Sequence, residues 1–219
     1  MLGQNAQFTA QTGFAEHISS QGSDAAPHVR FIIEEFSSLS GADVADIAHF
    51  LSVLHGRYPG VPDHAATKTA DDITGEWLTQ ATAGFAAERA LLTKLTVAAG
   101  PISGVSADDQ SNAAVLGQSK ALEMLSQSDR NGCAIGAAFA LVSDWHFIRP
   151  VLDRIALRVG VEVGSSTLPD IETTAALKDR LAATPALERA INFGSEQLLN
   201  QHRGLWQLLE ARRNTRLSH

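Results

Sequence analysis

The segment that most restricts the fold runs from Gly132 to Gly160, the longest mostly apolar stretch in the chain. Asp144, Trp145 and His146 stand in its middle. Asp144, His146, Arg149 and Asp153 interrupt it, which argues against a membrane span. Pro150 lies four residues after His146, so in a helix the His146 carbonyl has no N–H to accept. An acid, a histidine and a helix defect thus meet in a segment that otherwise asks to be buried.

The rest of the chain reads as helix too, because alanine and leucine abound and β-branched runs are few. Residues 1–27, rich in Gln, Ser, Gly and Thr, read as a loosely structured segment draped on the domain. Residues 28–219 read as a single helical-bundle domain. Val29 to Ile33 reads as an irregular or helical approach to the core. Ser40 with Asp43 is a capping box that opens a helix ending at His55, with Gly56 as its stop. The stretch Gly56 to His64 is dense in breakers and reads as a loop. Thr69 with Asp72 opens a helix to about Ala98, and Ser106 with Asp109 opens another to about Ser128. The apolar segment follows up to Val159. A shorter helix after Pro169 ends near Ala183, and Thr184-Pro185 starts a last helix reaching about Arg212. Four helices are long, roughly 35–45 Å at 1.5 Å per residue. The short links around the apolar segment predict antiparallel neighbours, hence an all-α, up-and-down helical bundle of four long helices with additional short ones.

Each long helix carries an apolar stripe with alternating spacings of four and three, and each stripe holds a polar residue. Trp77, Ala81, Gly84, Glu88, Leu91 and Leu95 form one. Ser111, Val115, Gln118, Leu122 and Leu125 form the next. In the apolar segment it is Ala137, Leu141, Asp144, Ile148, Val151 and Ile155. The last helix contributes Leu187, Ile191, Gly194, Leu198, Gln201, Leu205 and Leu208. Counting rise from the expected helix starts puts Glu88, Gln118 and Asp144 within roughly 5 Å of one level. Two carboxylates there need a proton, a basic neighbour, a metal ion or a cationic ligand. Arg89, Lys94, Lys120 and Arg149 are the basic candidates for a purely structural layer. On the same helix count His146 faces away from Asp144, so the two do not form an acid–histidine pair.

Histidines add little by spacing. His49 and His55 are six residues apart, which is not the i, i+4 clamp of a zinc helix. His55 suits a helix C-terminus. His55, Tyr58, Asp63 and His64 converge on one bundle end if the Gly/Pro loop folds over it. His202 flanks the last stripe as a partly buried histidine. Trp145 and Trp206 read as packing anchors, Cys133 as a buried thiol, and Arg212, Arg213 and Arg216 as solvated charges at a helix end.

A net charge of −7 speaks against nucleic-acid binding. One cysteine and no visible secretory leader point to a reducing, cytoplasmic setting. No Glu-x-x-His pair is present, so di-iron chemistry of the ferritin-like kind lacks its ligands; nucleotide loops and nucleophile elbows are absent as well. The stretches FAAERALLTKLTVAAGP and ALEMLSQSDRNGCAIGAAFALVSDW resemble an uncharacterised family of bacterial all-helical proteins over roughly residues 40–160. That resemblance implies a helical domain and no activity. These features predict a helical bundle, able to pair as a homodimer through an exposed helix face, whose layer of Glu88, Gln118 and Asp144 binds a small ligand. Its alternatives are a metal-dependent enzyme using those carboxylates with His49, His146 or His202, and a structural or regulatory partner protein.

Overall fold

The structure, a computed structural model, describes residues 13–102 and 108–218. Those residues contain helices and turns and no strand. We number the helices α1 (residues 13–21), α2 (Pro27–Glu34), α3 (Gly41–His55), α4 (Val61–Lys68), α5 (Gly75–Ala99), α6 (Asp108–Ser126), α7 (Cys133–Val159), α8 (Ile171–Leu181) and α9 (Pro185–Leu217). The all-α class is as expected. Within it α7 is the central helix, on which most of the other helices pack.

The reason lies in α7 itself. Every residue from Cys133 to Trp145 is buried, so the helix has no wet face over its first half, and a helix apolar all round must be enclosed on all sides. Helices α2 to α6, α8 and α9 all pack on it, α9 most extensively. The closest approach is glycine against backbone. A Cβ on Gly136 would stand 2.1 Å from the carbonyl oxygen of Ile191, and one on Gly194 would stand 2.1 Å from that of Cys133. Ser195 seals this crossing by donating its hydroxyl to the Gly136 carbonyl at 2.8 Å. Pro150 does not end α7, which runs to Gly160 in the left-handed conformation (φ 73°).

Helices α5 and α6 do not neighbour each other as the short link between them suggested; α3 and α4 each contact both. The first turn of α4 falls where Gly60, Pro62 and Asp63 predict loop. In fact Pro62 occupies the first turn, where its missing N–H is harmless. Asp63 caps that turn by accepting the Gly60 N–H at 2.8 Å. Helix α5 starts at Gly75 rather than Thr69, because a short 3-10 turn, Asp72–Thr74, capped by Asp71, takes its first residues. The Ser106 and Asp109 cap proposed for α6 lies outside the residues described with their side chains. The capping box of Ser40 and Asp43 and the Thr184 cap of α9 form as expected.

The N-terminal segment is less loose than its composition implies. Residues 1–12 lie outside the described region, but residues 13–21 are helical, and Phe14 and Ile18 are buried in the core. Three scattered apolar or small residues suffice to dock it. A Cβ on Gly22 would stand 2.2 Å from Asp144 Oδ1, so the turn after α1 lies directly on that carboxylate. One core cluster runs from Phe14 to Leu209.

Candidate functional site

The carboxylates of the expected layer are both in the core, Glu88 at 1% and Asp144 at 0% exposure, but they belong to different sets of bonds. Glu88 accepts from Arg149 at 2.7 Å and from the indole N–H of Trp145 at 3.0 Å. Arg149 in turn holds Asp153 at 2.7 Å and the Gly164 carbonyl. Arg149 is therefore the counter-charge, whereas Arg89 pairs with Asp63 at 2.8 Å. Gln118 is half-buried and bonded to neither carboxylate. Its Nε2 donates to the Gln201 carbonyl at 3.3 Å, and its buried Oε1 has no partner among the described residues.

Asp144 heads the second set. It accepts the Ser23 N–H at 2.7 Å, the Ser23 hydroxyl at 2.6 Å and the His202 Nδ1–H at 2.5 Å. Trp206 donates its indole N–H to the Ser23 oxygen at 2.8 Å. On its other edge His202 meets His55, with 2.8 Å between their Nε2 atoms. A line of hydrogen bonds thus runs Trp206, Ser23, Asp144, His202, His55 through the core. Trp145 joins the two sets: while its N–H holds Glu88, its ring lies edge-on against His55 at 5.4 Å between centroids. Burial, and then the neighbouring His202, hold the His55 pKa well below the ordinary histidine value.

The line ends at a cleft beyond the C-terminus of α3. His55, Tyr58, His64, Phe85, Ser119 and Glu123 are among its walls, and it has room of about 90 Å³. Three of the four residues expected to converge at this bundle end do so. Asp63 is the exception, spent on the α4 cap and on Arg89. Nδ1 of His55 makes no hydrogen bond among the described residues.

His202 is not a flanking residue. It is completely buried and belongs to the true stripe of α9, with Ile191, Ser195, Leu198, Leu205 and Leu209. The expected stripe was rotated by one residue onto Gln201 and Leu208, which are only half-buried. Ser23 gave no signal at all, lying in a polar stretch 121 residues from Asp144. His49 and His146 stay outside this network, each bonded to a backbone carbonyl, of Gly100 at 2.8 Å and of Pro169 at 2.9 Å. The C-terminal arginines are not simply solvated. Arg212 pairs with buried Asp46 at 2.7 Å, Arg216 pairs with Asp43 and Asp46, and Arg213 lies on Phe31. No group of three His, Cys, Asp or Glu among the described residues could hold a metal ion, so the metalloenzyme alternative finds no ligand set there. No helix among the described residues is long and apolar enough to cross a membrane.

A further buried histidine lay outside the expectations. His28 at the start of α2 has its pKa pressed down to about 4 by burial and by the charge of Arg213, with Asp43 opposing. In the unfolded chain this group ionises near 6.5. Its folded form refuses a proton that its unfolded form accepts, so stability is whole above pH 6.5 and is lost as pH falls toward 4. His55 acts in the same direction. Urea unfolding at pH 7 and at pH 5 should differ by about 2 kcal/mol on account of His28, and His28→Leu should remove that part of the difference. An equal pH dependence in wild type and variant would rule the assignment out.

A family model described as a family of unknown function (DUF6975) matches residues 18–217. No curated protein and no solved structure matches the chain.

Proposed function

The chain belongs to that family, and from its geometry we propose that it binds a small molecule with an acceptor oxygen, a carboxylate or a carbonyl. The binding place is the cleft at the end of α3, and His55 is the polar contact. The observation that carries this reading is the free Nδ1 of a histidine whose Nε2 is committed to a buried partner.

Charge accounting gives the direction of the bond. Asp144 as a bare carboxylate would leave a net charge in a fully buried network, at a cost of several kcal/mol. One extra proton on His202 makes the set neutral. Its Nδ1–H then donates to Asp144 and its Nε2–H to His55, which keeps His55's own proton on Nδ1 as a donor toward the cleft. The ligand contact thereby moves from the Glu88, Gln118 and Asp144 layer to His55, because both carboxylates already have their partners. In this arrangement the layer sets the protonation state of His55 from behind.

The test is a titration of the full chain with acetate, acetamide and acetone, followed by the imidazole proton resonances. Saturable shifts at His55 are expected with at least one probe, and His55→Ala should weaken that binding at least tenfold, about 1.4 kcal/mol. His64→Ala is the neighbouring control and should weaken it less. If none of the three probes moves His55, the reading fails. A structural role then accounts for the layer, favoured by the observation that Asp144 and Glu88 tie the turn after α1, α5, α7 and α9 together.

A further inference from the structure

A second cleft, with room of about 130 Å³, lies between the turn joining α1 to α2 and the middle of α9. Its walls are apolar for the most part: Gly22, Ala25, Ala26 and Pro27 on one side, the Trp206 ring on the other. Trp206 is 1% exposed, and its N–H is held by Ser23, so this wall is fixed before anything binds.

Two ionisable groups in the cleft, His28 and Glu210, make no hydrogen bond among the described residues. His28 is 3% exposed and makes no hydrogen bond among the described residues; it stacks on Phe31 at 6.2 Å and lies within the field of Arg213 and Asp43. Glu210 is half-buried and has neither hydrogen bond nor ion pair among them. Both open onto the cleft, where an imidazole and a carboxylate without a partner among the described residues offer acceptors to a ligand. The cation at the rim, Arg203, holds Gln21 at 2.9 Å and Asn200 and makes no ion pair with Glu210 among the described residues.

We propose that this cleft is a binding site for a small primary ammonium carried on a short apolar body. The three N–H donors of the ammonium match two carboxylate oxygens of Glu210 and one imidazole nitrogen of His28, and the body lies on Trp206 and Ala25. Burial and the charge of Arg213 keep His28 neutral at physiological pH, so that nitrogen has a lone pair to offer. A carboxylate ligand fits worse, since Glu210 repels it and the neutral His28 adds no charge to hold it. A quaternary ammonium has no N–H to give either group.

The experiment uses the full chain and three probes at constant ionic strength: n-propylammonium, tetramethylammonium and propionate. Tryptophan fluorescence and the His28 imidazole resonances are the readouts. Propylammonium is expected to shift both saturably, and the other two to leave them unmoved. Glu210→Gln should weaken propylammonium binding at least tenfold, and Ala25→Leu, which fills the cleft without touching the polar pair, should abolish it. Binding of propionate or tetramethylammonium as tight as propylammonium, no saturable response to propylammonium, or an undiminished response in Glu210→Gln would each overturn the proposal.

Discussion

Replacing Asp144 by Asn is expected to lower the unfolding free energy by about 3 kcal/mol and the midpoint temperature by about 6–12 °C for a domain of this size. The two side chains are nearly the same shape, so the loss comes from bonding. Three donors converge on the carboxylate: the Ser23 N–H, the Ser23 hydroxyl and His202 Nδ1–H. An amide has one acceptor oxygen, and its NH2 must face one of those donors. Stranding a buried donor costs about 1–3 kcal/mol, and the His202 Nδ1–H loses its carboxylate acceptor as well. The effect should spread along the line. The His55 resonances should move in this variant, although His55 does not touch Asp144. Urea unfolding with the imidazole spectrum measures both. A variant as stable as wild type, or more so, would mean that the layer is a strained repulsive cluster and that the pairing described above is wrong.

The second large effect is steric. Gly136→Ala and Gly194→Ala should each destabilise by about 3 kcal/mol or more, and the double variant should fail to fold, given that a typical domain holds only about 5–15 kcal/mol in all. Each added methyl would meet a backbone carbonyl oxygen of the opposite helix at 2.1 Å, and a backbone carbonyl cannot swing aside. Gly204→Ala is the internal comparison. Its methyl would meet only the end of the Gln118 side chain, at 2.7 Å, which can rotate away; a change below about 1 kcal/mol is expected. Circular dichroism and urea titration of the three single variants decide it. If Gly136→Ala and Gly204→Ala behaved alike, α7 and α9 would not approach as closely as described.

Local signals in the sequence located most helix ends. Ser40 with Asp43, Thr184 with Pro185, and the glycines at 132 and 160 each act through neighbouring backbone groups, so a short window contains all the chemistry. The stripe of α5 from Trp77 to Leu95 is likewise buried throughout. What failed was anything that depends on partners far along the chain. Asp144 and Glu88 were identifiable as buried polar residues from periodicity, but their partners were not: Ser23 is fixed by a turn resting on α7, and Arg149 was one of four equal candidates. His202 was lost through a one-residue rotation of a stripe, because Gln201 and His202 are both polar and only the neighbours Leu209 and Ser195 choose between them. Arg212 and Arg216 looked like end-of-helix charges because Asp43 and Asp46, their partners, are polar residues on a distant helix.

The enclosure of α7 has a consequence for the order of events during synthesis. Its first half is apolar on every side, and the helix that covers it most extensively, α9, is made after it. While α9 is still being translated, α7 has an uncovered greasy flank, and the Gly136 groove stands open to any other chain. Growing chains arrested between α7 and α9 should therefore recruit holdase chaperones or aggregate, and release should follow once α9 has emerged.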